Sequence, residues 1–192
     1  MRKVNSNIKN PLHKGVSEAV PIDDNILKQY ISVFRTLEAY DKKLVNKPSG
    51  TKAVYRLTID DARDVVSQMQ KLCAGDLWGK ENNNDLEACV SAIYQTFDGV
   101  ELYPSMEEKA AVLLYLVIKK HPFIDGNKRF AVGLFVSFLH KNGYHMNTLN
   151  MKVLEFMTLW IAESIPDDMD QVISMIMSCL VEVQKDFKTK GQ

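Results

Sequence analysis

Two apolar segments joined by a short polar loop limit what this chain can fold into. The first, EEKAAVLLYLVIKK, follows Ser105-Met106 and ends at His121-Pro122. The second, KRFAVGLFVSFLHKN, ends at Gly143. Both read as helices, and both are apolar enough to be central in a core. Ser105 with Glu108 is a capping-box pattern at the start of the first helix. Lys119 and Lys120 suit the carboxyl end of its dipole. Pro122 cannot extend it, and biases His121 out of the helical region. The second helix begins near Asn127, and Gly143 is a good terminator. The longest strictly apolar run, Ala110–Ile118, is nine residues. That is too short to span a bilayer, so no membrane partner is expected.

The rest of the chain adds helices around this pair. Ile26, Tyr30, Val33, Leu37 and Tyr40 recur at helical spacing, with Asp23 or Asp24 as N-cap, until NKPSG breaks the pattern at Gly50. Thr58 opens a helix to about Leu72, with acids in its first turn, and AGDLWGKENNND follows as a loop. Further helices are expected over Asp85 to about Tyr94, roughly Leu149–Ser164, and about Asp167–Phe187. The class is all-α, a bundle of about seven helices. The segment Thr96, Phe97, Asp98, Gly99, Val100, Glu101, Leu102 carries the one strand signal, with Asp-Gly at a tight-turn position. It reads equally as a small β-hairpin or as a plain helix-to-helix loop. Residues 1–21 are expected to be an irregular arm and residues 22–192 a single helical domain, which a chain of 192 residues accommodates.

Lys plus Arg and Asp plus Glu are 24 each, so bulk attraction to nucleic acid is not expected. The basic N-terminus has no apolar stretch of the kind a secretory signal needs. Cys73, Cys89 and Cys179 are isolated, with no CxxC or Cys/His spacing, as expected of reduced thiols in a cytoplasmic protein. His140 and His145 lack a metal-ligand pattern. Met169, Met175 and Met177 read as core.

The loop between the central helices, HPFIDGNKRF, holds the chemistry. A helix N-terminus has unpaired amides and partial positive charge, and it binds anions readily. Gly126 lets backbone approach a phosphate closely. Asn127 can cap the helix and donate to a phosphate oxygen. Lys128 and Arg129 stand where the dipole favours acids, so an anion would complete the balance. Asp125 beside phosphate suits Mg²⁺, which takes one or two carboxylates plus phosphate oxygens. His121 is the residue type able to accept a proton from a hydroxyl near neutrality. Phe123 reads as a buried anchor. Singly, these residues have blander readings: DGN as a turn with an N-cap, His-Pro as structural, Lys-Arg as a solvated face. Together, base, metal ligand, anion hole and cationic clamp fit transfer from a nucleotide.

The stretch HPFIDGNKRF resembles the signature of Fic/Doc (Fido) proteins, HxFx(D/E)GN(G/K)R. The flanks AIYQTFDGVELYPSMEEKAAVLLYLVIKKHPF and MTLWIAESIPDDMDQVISMIMSCL are similar to the C-terminal Fic-type domain of the RhuM virulence-protein group. The resemblance covers about Asp85 to Leu180. It implies a Fic-type helical bundle and an ATP- and Mg²⁺-dependent transferase acting on a Ser, Thr or Tyr hydroxyl of a target protein. By that resemblance His121 would be the general base and Asp125 would hold Mg²⁺. Gly126 and Asn127 would form the anion hole, with Lys128 and Arg129 beside the phosphates. Thr96–Leu102 would be the flap that aligns a target peptide by strand addition.

Two positions depart from the pattern GNGRxxR of AMP-transferring members. Lys128 replaces the second Gly, and Val132 stands where the second Arg belongs. This resembles the Doc branch, in which a reversed nucleotide presents its γ-phosphate. AMP transfer and phosphoryl transfer both stay open on the sequence, and the toxin-like branch leaves room for an inhibitory antitoxin partner. The family's autoinhibitory pattern, (S/T)xxxE(G/N), is met only as Ser178 to Glu182 followed by Val183, and these read as ordinary helix positions. The alternative is a non-catalytic interaction module that retains the scaffold.

Overall fold

The computed structural model of the chain describes residues 24–72 and 78–190. The expected N-terminal arm and Cys73 lie outside the described residues. Among the described residues there are eight α-helices and one two-stranded sheet. The helices are α1 (Asp24–Gln29), α2 (Ile31–Asp41), α3 (Ile59–Leu72), α4 (Asp85–Ala92), α5 (Met106–Lys120), α6 (Asn127–Lys141), α7 (Met151–Glu163) and α8 (Met169–Lys190). The strands β1 (Thr96–Phe97) and β2 (Val100–Glu101) lie between α4 and α5. The all-α reading with one small hairpin is correct.

Helix α5 is the axis of the bundle. Residues Ala110–Tyr115, Val117 and Ile118 are buried, and α4, α6, α7 and α8 pack around them. A helix apolar on all sides is stable only when it is enclosed this way. Ser105 caps it: its Oγ accepts the Glu108 amide at 3.1 Å. The reciprocal half of the capping box is not made, because the buried Glu108 carboxylate accepts from Lys47 instead. Its neighbour Glu107, also buried, accepts the Thr51 amide at 2.7 Å. The irregular segment before α3 is thereby pinned across the start of α5.

Several boundaries differ from expectation for local reasons. The expected first helix is two pieces, because Tyr30 has φ −100° and ψ 6°. No residue of α1 or α2 is buried. Tyr40 alone of the stripe reaches a neighbouring ring, that of Trp160 at 6.0 Å. Helix α3 starts after Thr58, whose Oγ accepts the Asp61 amide while the Asp61 carboxylate accepts from Thr58. Helix α4 stops at Ala92, two residues early, so that Ile93 turns into the core. Helix α6 stops at Lys141, and Gly143 follows with φ +78° as a terminating glycine does. Helix α7 begins at Met151 because the Asn150 side chain caps it, accepting the amides of Lys152 and Val153. In α8, Met177 is buried and Met169 packs against the core, in keeping with the core reading of these two methionines, whereas Met175 is only half-buried. The Ser178 hydroxyl donates to the Ser174 carbonyl inside that helix, as an ordinary helical serine does.

Candidate active site

Helix α5 ends at His121, which adopts a left-handed conformation (φ 52°, ψ 58°). That conformation is uncommon for a residue with a side chain and costs about 1–2 kcal/mol. Backbone contacts from residues 78–82 hold the loop in place. The Asn82 side chain donates to the His121 carbonyl at 3.2 Å, and the Asn82 amide to the Pro122 carbonyl at 2.7 Å. The Ile124 amide donates to the Lys80 carbonyl at 2.9 Å. Arg63 on α3 braces this strap through a two-pronged pair with Glu81 at 2.9 and 3.1 Å. The sequence reads this stretch as part of a plain loop. Its polar residues hide an extended pairing partner for HPFID.

Beneath the loop lies an aromatic cluster. Phe123 and Phe130 are 1% and 0% exposed, with ring centroids 4.6 Å apart. Trp78 packs on Phe130 at 4.4 Å. Truncating a ring such as Phe130 to Ala is expected to cost ~3–5 kcal/mol. Phe123 is the anchor that the sequence suggests.

Asn127 does not cap α6, contrary to expectation. It is the first residue of the helix, and Gly126 is the N-cap with φ +88°. The Asn127 side chain turns back into the loop, accepting the Phe123 amide at 2.9 Å and donating to the Phe123 carbonyl at 2.7 Å. It locks the loop shape, and its backbone amide belongs to the open first turn of α6. Gly126 is required for a reason beyond phosphate approach. A Cβ there would stand 2.4 Å from Trp78 Nε1 and 2.8 Å from the Phe130 ring.

The polar side chains emerge on the outer side. His121, Asp125, Gly126, Asn127, Lys128 and Arg129, with Ile124, line one cleft of about 360 Å³. His121, Asp125, Lys128 and Arg129 are exposed, so their side chains face solvent and any ligand there. Asp125 Oδ1 accepts the Gly126 amide at 2.7 Å, and its Oδ2 lies 3.5 Å from the Arg129 guanidinium. No group of three or more His, Cys, Asp or Glu that could hold a metal by itself exists among the described residues. A single accessible carboxylate beside helix-start amides still fits Mg²⁺, which usually takes one or two carboxylates and completes its shell with phosphate oxygens and water.

Lys128 and Arg129 also form the rim of a second hollow. This groove of about 470 Å³ is lined almost wholly by apolar groups of α3, α6 and α7, among them Met69, Val132, Leu154 and Leu159. Val132 is half-buried there.

The hairpin occupies its expected residues. Thr96 pairs with Glu101 and Phe97 with Val100. Asp98 and Gly99 both have positive φ (50° and 76°), the conformation of a tight two-residue turn. Phe97 and Val100 are 76% and 69% exposed. The buried Lys109 of α5 fixes the hairpin's base by donating to Glu101 Oε2 at 2.9 Å and to the Tyr103 carbonyl.

A match to the Fic/DOC family spans residues 34–139. The chain belongs to the Fic/DOC family. The match takes in α3, α4, the hairpin, α5 and most of α6, and it begins well before Asp85, where the resemblance read from the sequence starts. The chain is also 41% identical over 86 residues to a protein called Toxin Doc from Mycolicibacterium smegmatis. That alignment covers 45% of this chain and 65% of the relative, just under two thirds of its length. No solved structure matches the chain. No helix among the described residues is long and apolar enough to cross a membrane.

Proposed function

We propose that this Fic/DOC-family chain is a transferase that moves the γ-phosphoryl group of ATP, or another nucleoside triphosphate, to a Ser, Thr or Tyr hydroxyl of a target protein. The carrying observation is the pairing of two hollows across Lys128 and Arg129: a polar cleft holding His121 and Asp125, and an apolar groove floored by Val132. A nucleotide laid across that rim puts its nucleoside in the apolar groove and its terminal phosphate at the α6 N-terminus. The alternative orientation needs a cation where Val132 stands to hold the outer phosphates. The likeness to Toxin Doc supports a toxin-like member with an inhibitory antitoxin partner.

In the proposed reaction the His121 imidazole takes the proton of the target hydroxyl. The hydroxyl oxygen forms a bond to the γ-phosphorus as the bond from that phosphorus to the β–γ bridging oxygen breaks. The nucleoside diphosphate leaves with that electron pair, and the proton passes from His121 to solvent. The first-turn amides of α6 and the Arg129 guanidinium stabilise charge on the transferred group. Mg²⁺ held by Asp125 would neutralise phosphate charge. The exposed hairpin edge would align the target chain by strand addition.

Incubation of a cell lysate with ATP labelled at the α- or the γ-phosphate, using wild type and His121→Ala, tests this. Label from the γ-phosphate alone, lost in His121→Ala, is expected. Label from the α-phosphate alone would replace the proposal with AMP transfer. No His121-dependent label from any nucleoside triphosphate would favour the non-catalytic interaction module.

A further inference from the structure

Trp78 is 4% exposed and lines the apolar groove together with Lys128 and Arg129 of its rim. Its backbone pairs with Asp125, and the Gln70 side chain donates to its carbonyl at 2.8 Å. One neighbour of its ring is Phe130, and the Arg129 guanidinium lies 4.8 Å from the ring centroid. Its Nε1–H is buried without an acceptor, pressed against Gly126. An unpaired buried donor is costly and needs a reason. A phenyl ring would remove that cost, and would give up only face area and electron density. Those are the properties that make indole the best partner for a cation.

Arg129 has two partners here, the indole face and the Asp125 carboxylate. The carboxylate contact is long at 3.5 Å, and both side chains are more than half exposed, so it holds the guanidinium weakly. A metal ion at Asp125 would compete for the same carboxylate. The indole face would then be the contact left to keep the guanidinium at the rim. We propose that Trp78 is a positioning residue that seats Arg129 for a phosphate group, independently of what Asp125 binds. This rests on the reading of the cleft as a phosphate site.

Calorimetric titration with Mg²⁺ and inorganic tripolyphosphate separates the two ideas. Trp78→Leu is expected to weaken binding about fourfold in the wild-type background. It is expected to change binding less than twofold in an Arg129→Met background, whereas an indole that merely packs would cost the same in both. Equal losses in the two backgrounds would overturn the inference while leaving the phosphate site intact. Absence of tripolyphosphate binding by the wild type would overturn the phosphate-site reading and the inference with it. Trp78→Phe, which keeps a ring face, is expected to bind within about twofold of wild type. If Trp78→Leu does not fold, nuclear magnetic resonance decides. The Arg129 δ-protons are expected upfield in the wild type and less so in Trp78→Phe, and an ordinary position in the wild type overturns the seat.

Discussion

Replacing one buried cation tests whether the hairpin is held from below. Lys109 is 2% exposed, yet its ammonium reaches Glu101 and the Tyr103 carbonyl and lies 5.7 Å from the Tyr94 ring. Lys109→Met keeps the unbranched stem and removes the charge. The lost charge-assisted hydrogen bonds are worth about 1.5–3 kcal/mol. Part of this returns, because the Glu101 side chain is 45% exposed and regains water, and a buried ammonium no longer has to be desolvated. The expected net cost is about 1–2 kcal/mol. Glu101→Leu keeps water out but strips the buried ammonium of its counter-charge, which costs about 3 kcal/mol or more. The substitution at the more exposed residue is therefore the more damaging one. At ~2–4 °C per kcal/mol for a chain of this size, the two variants separate clearly in a thermal melt. The double variant is expected to be more stable than Glu101→Leu alone. Urea denaturation followed by circular dichroism gives the energies. Hydrogen exchange at Leu102, whose amide donates to the Gln95 carbonyl at 2.9 Å, reports the hairpin itself. A Glu101→Leu cost smaller than that of Lys109→Met, or simple additivity in the double variant, would refute the reasoning.

Three further outcomes follow from the same geometry. Gly126→Ala combines a disfavoured positive φ with contact against Trp78 and Phe130, and is expected to lower stability by about 3 kcal/mol in urea titration. Burial, with a smaller contribution from Asp85, pushes the Cys89 thiol up to about 11, so iodoacetamide at about pH 8 is expected to leave it unmodified, by peptide mass, until denaturant is added. Asp61 is held well below the usual carboxylate range, first by the Thr58 hydroxyl and then by the Tyr55 hydroxyl and the Thr58 amide. A depressed carboxylate stabilises the fold above its unfolded value of about 3.9 and loses that contribution as pH falls through the folded value. Asp61→Asn is therefore expected to melt lower than wild type near pH 7, with the gap between the two melting temperatures narrowing steadily as pH falls below about 4.

The elements legible in the sequence are those whose cause is local. The apolar faces of α5 and α6, the Ser105 cap, the Asp98-Gly99 turn and the His121-Pro122 stop each need only a few adjacent residues, and the structure has each of them. What the sequence leaves hidden depends on partners distant in the chain. Trp78 and Asn82 sit in a polar stretch with no periodicity, and they matter only because that stretch crosses the 121–125 loop. A tryptophan followed by glycine inside so polar a segment was the one available signal. Nothing adjacent in sequence marks Lys109 as buried, because its partners Glu101 and Tyr103 come from the turn before α5. Asn127 illustrates the same limit: its type suits a cap, but the nearby Phe123 backbone engages both its side-chain oxygen and its side-chain nitrogen, where a cap uses the oxygen alone.

The two departures from the AMP-transferring pattern gain weight from where they lie. Taken as letters, Lys128 and Val132 subtract a glycine and an arginine. In the fold they lie four residues apart on α6, Lys128 at the border between polar cleft and apolar groove and Val132 inside the groove. A charged side chain at Val132 would project into a hollow walled mainly by Met69, Met151, Leu154 and Leu159, whose one carboxylate, Glu155, is already paired with Lys152 and would repel a phosphate. The groove is therefore suited to an uncharged, flat group and ill suited to outer phosphates. Lys128 and Arg129 at its rim then face the charged end of the same ligand. If Val132→Arg nevertheless raised transfer from the α-phosphate of ATP, with no loss of γ-phosphate transfer, the groove would not be what orients the nucleotide. The expected result is weaker nucleotide binding and loss of the His121-dependent γ-phosphate label.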